Sequence, residues 1–217
     1  MKAVLSTKKI SFELERMFLD KNIKIIQHDF IRTEIEDHRI PLEYENWIFT
    51  SKNAVNAVFS SKTIANYSFN CFCVGENTKK LLLKNGQKVI KMAKNFKKLM
   101  FFIKKTQKNG SFLYFRGSIK NNEFGDFFKE TNLVLKELIV YKTILTPKRI
   151  EEELDCIMFF SPSGIKSFRK KNSLKNAICF CIGKTTAEYL NLFTENTFTV
   201  KSPSIKNVVK KTIKYLS

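Results

Sequence analysis

Two short stretches hold the residue types best suited to chemistry: Phe49-Thr50-Ser51-Lys52-Asn53-Ala54-Val55 and Phe159-Phe160-Ser161-Pro162-Ser163-Gly164-Ile165. In each, an apolar run ends at a hydroxyl residue and a helix is predicted to follow. Three other turns follow the same plan: Val74-Gly75-Glu76-Asn77-Thr78, Tyr114-Phe115-Arg116-Gly117 and Ile182-Gly183-Lys184-Thr185-Thr186. A helix start leaves its first amides unpaired and carries the positive end of the helix dipole, so it is a ready anion site. Taken singly, Ser51, Thr78, Ser163 and Thr185 read more simply as helix caps. Five such turns facing one cleft are better explained by a ligand with several negative charges.

Other chemistries fit the residues poorly. Gly183-Lys184-Thr185-Thr186 has the end of a nucleotide P-loop, but position 178 is Ile where that loop needs Gly. A dinucleotide GxGxxG is absent. His28 and His38 are the only histidines and neither lies near a nucleophile pattern, which argues against hydrolase triads and histidine metal sites. Five cysteines without a CxxC argue against a disulfide framework or a zinc knuckle. Cys71 and Cys73, like Cys179 and Cys181, sit two apart in apolar runs and read as buried core thiols.

The 39 basic against 20 acidic side chains leave a net charge of +19, which favours an anionic partner. Nearly all the excess is Lys in a chain also rich in Asn, Ile and Phe, a pattern that genome-wide compositional bias produces as readily. Met1 to Thr7 holds one Lys and too short an apolar run for a signal peptide, and no later stretch approaches a membrane span. A cytoplasmic protein is expected.

The elements that must position the turns follow from periodicity. Strands are predicted at Lys2 to Ser6, Trp47 to Thr50, Asn70 to Val74, Phe112 to Phe115, Cys156 to Phe160, Ala177 to Ile182 and Thr197 to Val200. Helices are predicted at Ser11 to Lys21 with Ser11 as cap, Ser51 or Lys52 to Ser60, Thr78 to Lys84, Phe96 to Lys105, Gly125 to Lys129, Ser163 to Lys170, Thr185 to Leu192 and Ile205 to Leu216. A short element is also expected over Glu151 to Leu154. The lysines of Phe96 to Lys105 read as a solvated face. Alternating strands and helices imply parallel sheets covered on both faces, an α/β fold.

The chain also echoes itself. Ser51 and Ser161 lie 110 positions apart, as do Asn22 and Asn132, and Thr33 and Thr143, while Gly75 and Gly183 lie 108 apart. Two copies of one α/β unit, about 1 to 109 and 110 to 217, account for this. The extended stretches Ile23 to Thr33 and Leu133 to Thr143 occupy equivalent places in the copies. If they pair as a two-stranded β-ladder hinge (31–39 and 134–146), residues 1–30 plus 147–217 form one domain and 40–133 the other. Ligands of open parallel sheets sit beyond the strands' carboxyl ends, which puts the expected site between the domains.

A two-copy chain carrying FTSKNAV, FCVGENTKKL, a YFRG turn, IVYKT before a Pro, FFSPSGI and CIGKTTAEYL resembles the uroporphyrinogen-III synthase family over essentially its whole length. The resemblance implies two α/β domains joined by a β-ladder, the first built from both chain ends. It implies a reaction without cofactor or metal. The linear tetrapyrrole hydroxymethylbilane loses water and closes to uroporphyrinogen III with its last ring inverted, through a spiro intermediate. It further implies a catalytic tyrosine in the VYxT strand, Tyr141. Substrate contacts are implied at Thr50, Ser51, Lys52, Gly75, Thr78, Arg116, Ser161, Ser163, Gly164, Thr185 and Thr186. Lys52-Asn53 stands where the family often has a Pro-Arg or similar pair, and Arg116 sits nearer its turn than the family pattern.

The expected partner is thus a small polycarboxylate, with transient contact to the enzyme that makes it. Nucleic acid and membranes are not expected partners, and a monomer is expected. Two rival readings are a non-catalytic two-domain receptor for a nucleotide or polycarboxylate, and a basic nucleic-acid binder. The second would show a steep salt dependence, yet the chain has neither an obvious recognition helix nor an aromatic-basic stacking strand.

Overall fold

The computed structural model describes residues 1–37, 39–60, 64, 67–119 and 123–217, so His38 lies outside the described residues. The elements in chain order are β1 (Ala3–Ser6), α1 (Phe12–Leu19), β2 (Lys24–Gln27), β3 (Ile31–Ile35), β4 (Asn46–Phe49), α2 (Lys52–Phe59), β5 (Asn70–Val74), α3 (Glu76–Lys84), β6 (Lys88–Ala93) and α4 (Phe96–Thr106). They continue with β7 (Ser111–Gly117), α5 (Glu123–Lys129), β8 (Val134–Leu145), β9 (Cys156–Phe159), α6 (Pro162–Arg169), β10 (Ile178–Cys181), α7 (Lys184–Leu190), β11 (Thr197–Thr199) and α8 (Ile205–Leu216).

Two compact units divide the chain: Met1–Arg32 with Ile144–Ser217, and Thr33–Thr143. The boundaries fall inside β3 and β8. The first unit holds a five-stranded sheet in the order β11-β10-β9-β1-β2, parallel throughout. The second holds six strands in the order β3-β8-β7-β4-β5-β6, parallel from β8 to β6.

Apolar strands with every side chain buried require cover on both faces, and each unit supplies it. In the second unit Trp47, Phe49, Cys71, Cys73, Leu113 and Phe115 pack with residues of α2 and α3, such as Val55, Val58 and Leu82. Ile48, Phe72, Phe112 and Tyr114 face the other way, onto Leu99, Met100 and Ile103 of α4 and Phe128 of α5. In the first unit Ile157, Phe159, Cys179 and Cys181 pack on α6 and α7, while Met158 and Phe180 pack on α1 and α8.

The sheets match strand for strand, with β6-β5-β4-β7-β8 corresponding to β11-β10-β9-β1-β2. Each unit therefore draws on both sequence copies. The first takes β1-α1-β2 from the early copy and β9 to α8 from the late one, and the second takes the complementary parts.

Several expectations are corrected. The extended stretch from Ile23 to Thr33 is two strands in two sheets, broken at His28 to Phe30. There the His28 and Phe30 amides donate to the carbonyls of Ser6 and Thr7, and the Phe30 ring is fully buried against Phe168 at 5.6 Å. Core burial of that ring turns the chain out of its strand. The two strands expected to form the ladder are present as β3 and β8, and both places where the chain passes from one unit to the other lie within them. From Val134 to Tyr141, β8 pairs with β7, and β3 lies along the other side of β8. Backbone hydrogen bonds join Phe30 to Thr146 and Glu36 to Val140, one index rising as the other falls, so β3 and β8 are antiparallel. Helix α3 begins at Glu76 rather than Thr78, because Gly75 takes the N-cap position with φ +87°. Ser11 occupies the N-cap of α1 without a capping side-chain hydrogen bond, and Glu151 to Leu154 is irregular.

All five cysteines are buried and unpaired. Burial pushes the thiol of Cys73 up to about 11, with Lys79 opposing and Glu76 assisting, and those of Cys156, Cys179 and Cys181 up to about 12; Cys71 rises further. The thiolate is the reactive form. The native protein at pH 8 is therefore expected to leave a disulfide reagent such as DTNB unreacted for minutes, and to titrate all five thiols once denatured. Rapid labelling of the native chain would show the strands to be more open than this packing.

Candidate active site

In the second unit the chain steps from β4 outward through β5 to β6, then returns to place β7 and β8 on the opposite side of β4. In an open parallel sheet that reversal opens a crevice at the carboxyl ends of the two strands flanking it. Here those ends carry Thr50 and Ser51 after β4, and Arg116, Gly117 and Ser118 at β7. The first unit reverses between β9 and β1, whose carboxyl ends lead into Ser161 and Thr7.

Around Ser51 the geometry is specific. Its backbone is extended and its Oγ accepts from the Ala54 amide at 3.1 Å, so it caps α2. The same oxygen lies 3.2 Å from the Tyr141 phenol oxygen. Thr50 Oγ1 meets the Tyr114 phenol at 3.1 Å. Tyr114 is buried, and desolvation pushes its pKa upward against the opposing Thr50 hydrogen bond. Tyr141 is partly buried and packs against the core that holds Trp47 and Phe49. The Tyr141 carbonyl accepts from the Ser118 amide at 2.9 Å, and Ser118 Oγ accepts from the Thr143 amide at 3.4 Å.

The structure sorts the remaining candidates. Lys52 is exposed on the first turn of α2. Gly75 forms the turn before α3, but Thr78, 4% exposed, is packed inside rather than presented at the surface. Arg116 is engaged elsewhere: its Nε donates to Glu137 at 2.6 Å and Nη1 to the Gly117 carbonyl at 2.9 Å, with 12% of its side chain exposed. That ion pair ties β7 to β8.

In the first unit Ser161, not Ser163, caps its helix, accepting from the Gly164 amide at 3.0 Å. A Cβ at Gly164 would meet Ser161 Oγ at 3.4 Å and Thr7 Oγ1 at 3.7 Å, ordinary contact distances that place Thr7 beside the start of α6. Thr185 is exposed at the start of α7, whereas Thr186 is buried. Lys184 pairs with Glu188 at 3.6 Å.

Sequence reasoning missed Thr7, Ser118 and Tyr114. Thr7 follows β1 and donates its hydroxyl to the Met158 carbonyl at 2.7 Å, which binds the end of β1 to β9 at the reversal point. The signal for it was present, as Leu5-Ser6-Thr7 is another apolar run ending in hydroxyls. Among the described residues no three His, Cys, Asp or Glu side chains converge as a metal site, and no helix is long and apolar enough to cross a membrane.

Comparisons with known proteins agree with this architecture. The solved structure of uroporphyrinogen-III synthetase from Helicobacter pylori superposes with a TM-score of 0.72 at 21% identity, covering 99% of this chain and 100% of that one. A mutant uroporphyrinogen III synthase from Thermus thermophilus superposes at 0.71 with 12% identity, covering 99% and 98%. At such identities the likeness concerns the fold. No curated protein sequence matches. The family model described as uroporphyrinogen-III synthase HemD matches residues 23–209, most of the chain. With that match and the paired hydroxyl turns, this chain belongs to the uroporphyrinogen-III synthase family.

Proposed function

We propose that the chain cyclises hydroxymethylbilane to uroporphyrinogen III, with Tyr141 as proton donor to the departing hydroxyl. The observation that carries the role of Tyr141 is its phenol, 3.2 Å from Ser51 Oγ at the reversal point of the second sheet. The substrate loses its hydroxyl as water, taking one proton from the phenol while a pyrrole N–H proton is released, which leaves an azafulvene. The substituted carbon of the last ring attacks it to give a spiro intermediate, and cleavage followed by re-closure inverts that ring.

An azafulvene also closes unaided to the uninverted type I isomer. The protein must therefore hold the ends in the less accessible geometry and keep water away. The helix starts at Ser51 and Ser161 and the glycine turns at Gly75 and Gly183 provide amides for the substrate's carboxylates, with Thr50, Lys52, Ser163, Gly164 and Thr185 beside them. We assign no cofactor to this reaction and no nucleic-acid or membrane partner. Five unpaired buried cysteines suit the reducing cytoplasm. A monomer that receives its unstable substrate through transient contact with the enzyme making it is part of the same proposal.

The decisive experiment supplies enzymatically generated hydroxymethylbilane and resolves the products. Type III product forming faster than spontaneous closure is the expected result. Type I alone, at the uncatalysed rate, would leave the chain a polycarboxylate binder.

A further inference from the structure

The pairing of β7 with β8 is regular from Ser111 to Arg116, which faces Ile139, and then slips: Gly117 faces Tyr141. Val140 is the extra residue of a bulge, and its side chain is fully buried in the core. A bulge re-aims the side chain beside it. Without the slip Gly117 would face Val140, and the phenol would stand opposite the next residue along.

Gly117 itself is not among the glycines with positive φ, so its backbone does not call for glycine. What it lacks is room. A Cβ built there lies 2.7 Å from Cε2 and Cζ of Tyr141 and 2.9 Å from its hydroxyl oxygen. The ring would have to retreat by about 0.7 Å to reach ordinary contact at 3.4 Å. No other glycine among the described residues would bring a Cβ closer than 3.4 Å to a neighbour.

We propose that Gly117 is a positioning residue for the reaction: with the Val140 bulge it seats the Tyr141 phenol against bare backbone and so sets its hydroxyl at Ser51. The inference rests on the reading of Tyr141 as proton donor. The Ser118 amide on the Tyr141 carbonyl and the Ser118 hydroxyl accepting from the Thr143 amide hold the strand on either side of the seat. Gly117 touches the catalytic group and acts through it, so its effect should vanish where the phenol is absent.

Three forms test this: Gly117→Ala, Tyr141→Phe and the double variant, each assayed for rate and for the ratio of type III to type I product. A displacement of this order at a reacting group costs roughly 10- to 100-fold. Gly117→Ala is expected to lose that much type III formation while keeping its melting temperature near the parent's, and the double variant should be no slower than Tyr141→Phe alone. Multiplying losses in the double variant would overturn the proposal, since they would mean that Gly117 acts independently of the phenol.

Protein labelled with 13C at tyrosine Cζ, its Tyr141 signal assigned with Tyr141→Phe, separates placement from chemistry. An unmoved Tyr141 signal in Gly117→Ala refutes the seat. A moved signal with unchanged product ratio supports the seat and removes the phenol from the mechanism. Should the variant fold poorly, the parent protein still decides: NOEs between Gly117 Hα and the Tyr141 ring are required, and their absence refutes the placement.

Discussion

Tyr141→Phe is expected to lower kcat roughly 100-fold, the scale of a lost general acid, and to turn the product mixture towards type I. Phenylalanine keeps the ring that lies over Gly117 and removes the hydroxyl that meets Ser51 at 3.2 Å. The packing is conserved, so stability should fall by no more than about 1 kcal/mol for the lost hydrogen bond. That separation of activity from stability distinguishes a reacting phenol from a packing one. Because the spontaneous route supplies type I, total consumption of hydroxymethylbilane is a poor readout. Chromatography of the oxidised porphyrins gives the isomer ratio directly. Wild-type kcat with a wild-type ratio would leave Tyr141 as a structural tyrosine.

Trp47→Ala should have the largest effect on stability, about 3–5 kcal/mol. The ring is fully buried in β4, stacked on Phe69 at 3.5 Å between centroids and packed on Phe115 at 4.7 Å. Its Nε1 donates to the Tyr44 carbonyl at 2.6 Å, a bond that alanine would leave unmade. Few side chains could refill so large a space without moving β4, whose end carries Thr50 and Ser51. Trp47 is the only tryptophan, so far-UV circular dichroism in urea is the proper probe. The midpoint is expected to fall by more than about 1 M. A shift of a few tenths would mean that the aromatic cluster collapses around the gap.

The sequence was most legible where one local rule dominates. A hydroxyl between a buried strand and an amphipathic helix announced the cap at Ser51, while the cap expected at Ser163 falls two residues earlier, on Ser161. Strands such as Asn70–Val74 were clear because burial on both faces makes them continuously apolar. Legibility failed where tertiary packing overrules the local pattern. Phe30 continues an alternating run and gives no sign that its ring turns into a core to end one strand and free the next. Thr78 looked like a cap because a left-handed glycine three residues earlier starts the helix instead. The ion pair of Arg116 leaves no local trace, since Glu137 on the neighbouring strand is 21 positions away. The slip at Val140 depends on how two strands register, and neither strand alone encodes it.

The crosswise use of the two copies has a consequence for synthesis on the ribosome. Strand β1 lies between β2 and β9 in its sheet, and everything from β3 to β8 separates β2 from β9 in the chain. At bacterial or eukaryotic elongation rates, the newborn β1-α1-β2 segment waits on the order of ten seconds for its other neighbour to emerge. By the end of that interval the intervening unit, continuous from Thr33 to Thr143, has all its strands outside. The order of translation thus makes the inserted unit the first to mature and leaves β1 with one bare edge, a natural place for a chaperone to hold the nascent chain.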